Sequence, residues 1–285
     1  YLAYISYNMT VPYFYKNTHS KFLSIEGENS TEFLQNLITN DINKCSKDNF
    51  LYSCLLTPQG KFISDFFIFK KEKKYILETH SFFHEKLLKK LNLYKLRSKV
   101  LINEITDLYS YSVFADLEKD NNTIIFNTDP RSKNIGKKLI HQIKNTEMLK
   151  DFSEIDEKKY HEILIQNLVP LSHYDLEENK SLLLENNFEN LNSISWDKGC
   201  YVGQEITARM KYRSLLKKKI YSLKIKDGSP LIGQLIKDNE NEFGKIISIK
   251  NDSVLAMLKI ELAEIKINKK KQIKTNKNLV LEFIL

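Results

Sequence analysis

Apolar residues fall into short runs along this chain, some at helical spacing and more at strand length. Phe33, Leu34, Leu37 and Ile38 share one helical face, and Asn29-Ser-Thr-Glu32 ahead of them reads as a capping box closing the first turn. That helix is expected to end near Thr39-Asn40-Asp41. Residues 50–56 and 62–69 are strand-like apolar runs joined by Thr57-Pro-Gln-Gly60, a strong turn signal. After the charged turn at Lys70–Lys74 comes a strand at Tyr75–Thr79. Residues 81–93 then suit an amphipathic helix with Phe83, Leu87, Leu88 and Leu91 clustered. From Leu108 to about Glu154 the pattern mixes short strands with a lysine-bearing helix predicted near 132–144. Asn186–Asn192 is loop-like, and Gln204–Arg213 is helical. Beyond Lys217, short strands near 219–226, 231–237, 244–250, 254–261 and 279–284 alternate with turns such as Asp227-Gly-Ser-Pro230, which predicts a small β-barrel. The fold class is therefore α+β, with residues 1–214 as one region and 215–285 as a C-terminal β-barrel.

Composition narrows the class. At 285 residues and 42% hydrophobic, the chain can bury a proper core in one large or a few small domains. No apolar run reaches the roughly 18 residues of a membrane span. The start, Tyr1-Leu-Ala-Tyr-Ile-Ser-Tyr7, lacks the basic opening and apolar core of a secretory signal. Cys45, Cys54 and Cys200 form neither a disulfide framework nor a metal-binding spacing, which fits a reducing cytosol and a cytoplasmic protein. The net charge of +8 is carried largely by lysine. It reads either as solvated surface or as the working face of a basic RNA-binding or interaction protein, although no RNA-recognition motif accompanies it.

The segment Lys198-Gly-Cys-Tyr-Val-Gly-Gln-Glu205 concentrates the candidate chemistry. It sets a cysteine between glycines just ahead of a helix, where the helix N-terminus and Lys198 would both favour a thiolate. Glu205, Arg209 and Arg213 repeat every four residues and can share a face. Read alone, Cys200 is either a reactive thiol or a structural cysteine in a tight turn. Asp65 stands in the otherwise apolar run Phe62-Ile-Ser-Asp-Phe-Phe-Ile-Phe69, where a carboxylate is costly unless paired or facing a polar cavity. Burial would raise its pKa and suit it to acid–base work, whereas strict alternation would put it in water. His80 and His84 stand at i, i+4 with no third metal ligand in sight, so no metal is expected. Cys54 reads as core, Cys45 as incidental and Trp196 as a packing anchor. No phosphate loop, HExxH or Ser-His-Asp arrangement occurs.

KGCYVGQEITARMKYR, residues 198–213, closely resembles the signature of the YgfZ-type folate-binding proteins, relatives of the glycine-cleavage T-protein, an aminomethyltransferase. Phe22–Gly27 with Phe33–Asp41, Leu55–Lys61 and Tyr94-Lys-Leu-Arg-Ser-Lys-Val100 resemble further family stretches in order. The resemblance implies a T-protein-like multidomain ring around a central cavity, with a C-terminal β-barrel. It implies tetrahydrofolate binding and a role in assembling or maintaining iron–sulfur enzymes, including tRNA-modifying ones. The partners it implies are iron–sulfur client or assembly proteins, met by a monomer without direct nucleic-acid contact.

Under that resemblance Cys200 matches the family cysteine and Lys198 its partner, with Asp65 the acid–base candidate. Glu185, Tyr201, Gln204, Glu205, Arg97 and Arg209 become candidate folate contacts, and Asp175 has a weaker claim. Three positions depart from the family pattern: Leu164 stands where relatives carry arginine, and Leu168 and Ser214 stand where they carry glycine. An arginine there would suit folate's carboxylates through paired charge-assisted hydrogen bonds, so its loss implies weaker folate binding. A folate-dependent aminomethyltransferase is the enzymatic alternative, against which the cysteine signature argues.

Overall fold

The computed structural model describes residues 11–284 apart from 48, 145, 239–240 and 276–277. The stretch Tyr1–Tyr7, judged above for a secretory signal, lies outside the described residues.

Strands β1 (Tyr13–Lys16) and β2 (Ser20–Glu26) lead into helix α1 (Ser30–Leu37), followed by β3 (Leu51–Leu56), β4 (Phe62–Lys71), β5 (Lys74–His80), α2 (Ser81–Lys95) and β6 (Leu101–Ile105). The first sheet is antiparallel throughout, in the order β3-β4-β5-β2-β6. Its outer face is covered by α1 and α2, which bury Phe33, Leu34, Leu87 and Leu91 against Leu23, Ile25 and Ile68. Asn29 caps α1 by position but not through its side chain; its Oδ1 accepts the Lys99 backbone N–H instead, at 3.0 Å. The expected capping box is thus replaced by a tie to the chain entering β6.

The inner face of this sheet builds the site. A bulge between the pairs Leu55–Ser64 and Leu56–Phe62 leaves Ile63 as the extra residue in β4. Beyond it, Phe66 and Ile68 join the outer core while Phe67 and Phe69 join the inner one. Asp65, of the same parity as Phe67 and Phe69, therefore shares the inner face with Tyr52 and Cys54. A bulge re-aims side chains in this way because strand alternation has a period of two.

A second sheet follows from β7 (Tyr109–Val113), β8 (Thr123–Thr128), β9 (Lys137–His141) and β10 (Ser153–Glu154), in the order β10-β1-β7-β9-β8. The helix expected near 132–144 is instead a short 3-10 turn, Lys133–Ile135, and then β9. Gly136 divides them in a left-handed conformation (φ +83), where a Cβ would come 2.6 Å from the Val113 carbonyl oxygen. No helix can run through such a position without losing that close approach.

Helices α3 (Glu157–Gln166), α4 (Ser172–Asp175) and α5 (Gln204–Tyr212) connect to a third sheet. Its members are β11 (Lys218–Asp227), β12 (Leu235–Asp238), β13 (Asn241–Lys250), β14 (Ser253–Lys259), β15 (Ile273–Lys274) and β16 (Val280–Phe283), with α6 (Ile260–Asn268) between β14 and β15. The order β12-β13-β14-β11-β16-β15 leaves its end strands unpaired with each other among the described residues, so the expected barrel is a half-barrel. Ile165 of α3 docks on this sheet against Ile220 and Leu255. Leu168 and Ser214, the two positions expected to be glycine, both adopt positive φ (+54 and +50). Leu168 nonetheless packs its side chain against that small core, which offsets the strain.

Candidate functional site

Between the first two sheets and α3–α4 lies a half-open cavity with about 760 Å³ of free space counting its mouth. Asp65 lies in its wall, where Oδ2 accepts from the Tyr52 hydroxyl at 2.5 Å and from Ser172 Oγ at 2.8 Å. Burial pushes the Asp65 carboxyl up, and those two hydrogen bonds and the nearby Arg131 restrain the shift. Beside it, Glu78 Oε1 is paired with Lys138 Nζ at 3.0 Å and accepts from Ser20 Oγ at 2.6 Å. Its other oxygen, Oε2, is buried without a partner. Arg131 grips Asp129 in a two-pronged contact (3.0 and 2.8 Å) while its guanidinium lies 4.8 Å from the Phe67 ring centre. Lys138 Nζ is 4.2 Å from the same ring, so Phe67 has cations against its π system from two residues. Leu164 lines this cavity too.

The turn carrying Cys200 is built elsewhere, where three distant stretches meet. Lys198 is buried, and its ammonium donates to the carbonyls of Gln35, Ile38 and Asn40 at 2.7, 2.7 and 2.9 Å. It thereby caps the C-terminal end of α1, where the helix leaves carbonyls unmet. Burial draws its pKa down to about 8, against the pull of Asp41. Around it, Ser195 N–H donates to Thr39, Val202 N–H to Asn36, and Thr39 Oγ1 to Ser193. Gly203 opens α5 at φ +83, where a Cβ would stand 2.4 Å from the Thr57 carbonyl oxygen and 3.1 Å from Gly60 Cα. Gly60, at φ +70, meets Gly203 and Ile206 equally closely. Tyr201 is buried in the core. Cys200, in contrast, is exposed, and a Cβ on Gly199 would meet nothing within 4 Å.

The expected site residues thus divide. Asp65 lines the cavity, whereas Lys198 directs its ammonium to three backbone carbonyls. The N-terminus of α5 begins at Gly203, beyond Cys200. Of the remaining candidates, Glu185 pairs with Lys218 at 3.6 Å, and Glu205 pairs with Arg209 at 3.4 Å on an exposed helix face. Gln204 starts α5, and Arg97 lies on the far side of the first sheet beside Tyr94 and Phe33. None of these lines the cavity among the described residues, and neither does Tyr201. Asp175 is buried near the cavity's end, its Oδ2 accepting from Leu171 N–H at 2.6 Å, and burial raises its pKa to about 6. Trp196 donates from Nε1 to Glu189 and packs edge-on against Tyr212, as a packing anchor would. His84 pairs with Glu104 while His80 caps α2, and no cluster of metal ligands forms among the described residues. Sequence reading missed Glu78, Lys138 and Arg131. Glu78 alone carried a signal, a carboxylate in the apolar strand Tyr75-Ile-Leu-Glu-Thr79.

Residues 15–114 match the family described as the GCVT N-terminal domain. The fold resembles aminomethyltransferase T of the glycine cleavage system from Bartonella henselae, with a TM-score of 0.72 over 96% of this chain and 84% of that one, at 12% identity. The chain therefore has the T-protein-like α+β fold. Among curated proteins it is 27% identical over 227 residues to an iron–sulfur cluster assembly factor IBA57 homolog of Neurospora crassa, covering 72% of this chain and 52% of that protein. It is 28% identical over 239 residues to the tRNA-modifying protein YgfZ of Buchnera aphidicola, covering 76% and 75%. The chain spans about half the length of the fungal relative. Its likeness in sequence is thus to proteins named IBA57 and YgfZ. No described helix is long and apolar enough to cross a membrane.

Proposed function

We propose that this chain is an iron–sulfur assembly or maintenance factor that binds a reduced folate in its cavity and presents Cys200 to a partner protein. The observation that carries this is the contrast within the turn at 198–205. Lys198, Tyr201, Val202 and Gly203 each hold the fold together, while Cys200 stands exposed with no hydrogen-bond partner among the described residues. A sulfur with no structural task on a turn so firmly tied is suited to contact with another molecule, here an iron–sulfur client or assembly protein. The cytosol expected from the cysteine usage would keep it reduced.

A pterin suits the polar wall of the cavity. Its amino-pyrimidine edge offers adjacent N–H donors, and Glu78 Oε2 is a buried acceptor with none. Asp65 would hold or exchange a proton at the reduced ring, its carboxyl being biased toward the neutral form by burial. When bound, tetrahydrofolate supplies ring and side-chain nitrogens able to carry one-carbon units.

Depleting the chain from its host should lower the activity of iron–sulfur enzymes, tRNA-modifying ones among them, while their polypeptide levels hold. Unchanged activities would reject the assembly role. Calorimetric titration with tetrahydrofolate should show weak binding, lost in Asp65→Ala. Leu164→Arg should tighten binding by roughly tenfold, because a guanidinium would meet a carboxylate in a partly dry cavity. No gain would show that the ligand's acidic end lies away from position 164.

A further inference from the structure

We propose that the histidine cluster formed by His19, His80, His161 and His173 is the subsite for the carboxylate-bearing end of the cavity's ligand. The four rings come from the β1–β2 turn, the end of β5, α3 and α4, and all line the cavity. His80 and His173 stack at 3.7 Å between ring centres with an interplanar angle of 9°, and His19 lies 5.2 Å from His80. Exposure falls from His19 through the half-buried His80 and His173 to the buried His161, so the cluster runs from solvent into the wall.

Charge accounting within the cavity leaves His19, His80 and His173 as the groups free to meet an anion, since His161 Nε2 already faces Glu157. Lys138 is paired with Glu78 and Arg131 with Asp129. His80 Nδ1 accepts the Phe82 backbone N–H, so in the neutral ring the proton sits on Nε2 as a donor. His161 Nδ1 is buried without a partner. Leu164, one helical turn after His161, adds no charge.

The charged groups facing the cluster are Glu157, 3.5 Å from His161 Nε2, and Lys250, which acts on His161 and His173 from β13. Asp65 and Glu78 stand further along the cavity wall. Burial holds His80 and His161 down to about 4 and His173 to about 3, so these three rings are neutral at physiological pH when the cavity is empty. A docked carboxylate favours the imidazolium. Binding then takes up a proton from solvent, and affinity rises as pH falls from above the bound-state pKa toward the free-state value. No covalent bond is made or broken.

This subsite rests on the folate reading, and the test separates the two. The full chain is titrated anaerobically by calorimetry with tetrahydrofolate and with 6-methyltetrahydropterin, which shares the ring but lacks the acidic tail. Both titrations are run near pH 6 and near pH 8. Tetrahydrofolate should tighten by about fivefold or more toward the lower pH beyond any change in the pterin, with heats that depend on buffer ionisation. His80→Asn, which keeps a capping side chain for α2, should remove that difference, and His173→Asn should do the same. Equal pH dependence of the two probes, or a difference that survives in both variants, overturns the subsite and leaves the pterin site standing. Binding of neither probe at either pH rejects the folate reading and the subsite with it.

Discussion

Lys198→Met should destabilise the protein by roughly 3–5 kcal/mol, because three buried carbonyls would lose one shared donor and each unmet acceptor costs about 1–3 kcal/mol. The methionine fills a similar volume, so the loss reports hydrogen bonding rather than a cavity. Three short bonds from one nitrogen match the geometry of an ammonium, and the planar guanidinium of Lys198→Arg cannot place three donors there from a single atom. Arginine is therefore expected to rescue only part of the stability. Urea unfolding of the three proteins measures both effects. A midpoint for Lys198→Met indistinguishable from wild type would mean that the end of α1 finds its donors elsewhere.

Cys200→Ala, two residues away, should behave in the opposite way. Removing an exposed sulfur should change stability by less than about 0.5 kcal/mol. In cells whose only copy carries the substitution, iron–sulfur enzyme activities should fall to the level seen when the chain is absent. Native-state labelling checks the same sulfur independently. Cys45 and Cys54 are buried, with their thiols pushed up by burial, Cys45 to about 12 and Cys54 well above its ordinary range. Thiolate and access together set the rate, so an alkylating reagent should reach Cys200 first. Wild-type enzyme activities in Cys200→Ala cells would remove the thiol from the function, whatever its labelling rate.

Local signals were readable where local physics decides. The hairpin around Thr57–Gly60 and helix α2 follow from alternation, turn chemistry and helical spacing, and they appear within a few residues of expectation. Lys137–His141 was misread because two lysines before an apolar pair fit a helix as well as a strand. What settles it is Gly136 pressed against Val113 and Lys138 drawn inward to Glu78, both tertiary facts. The strand expected at 254–261 runs two residues into helix α6, since Ile260-Glu-Leu-Ala263 follows the apolar run of β14 without a break, and the rest of that helix has no counterpart among the expected elements.

The site divides in the same manner. Asp65 could be found because a carboxylate inside an apolar strand is costly without a partner, but its facing depends on a bulge that leaves no composition signal. Arg131, Lys138 and the four cavity histidines look ordinary one by one, and only the chain's path brings them together. Lys198 shows the converse. Its place in a recognisable motif suggested chemistry at the sulfur, whereas its carbonyl partners lie some 160 residues earlier in the chain and could not be foreseen from spacing.

Residues 15–114, the portion matched by the GCVT N-terminal domain, cannot be cut out as a working piece. A truncated chain ending at β7 would bare the end of α1, open the packing of Gly60 against Gly203, and lose the wall that α3 and α4 give the cavity. Nascent polypeptide must therefore wait for about another hundred residues before its first sheet is sealed, which makes that interval the period of greatest exposure to chaperones and proteases.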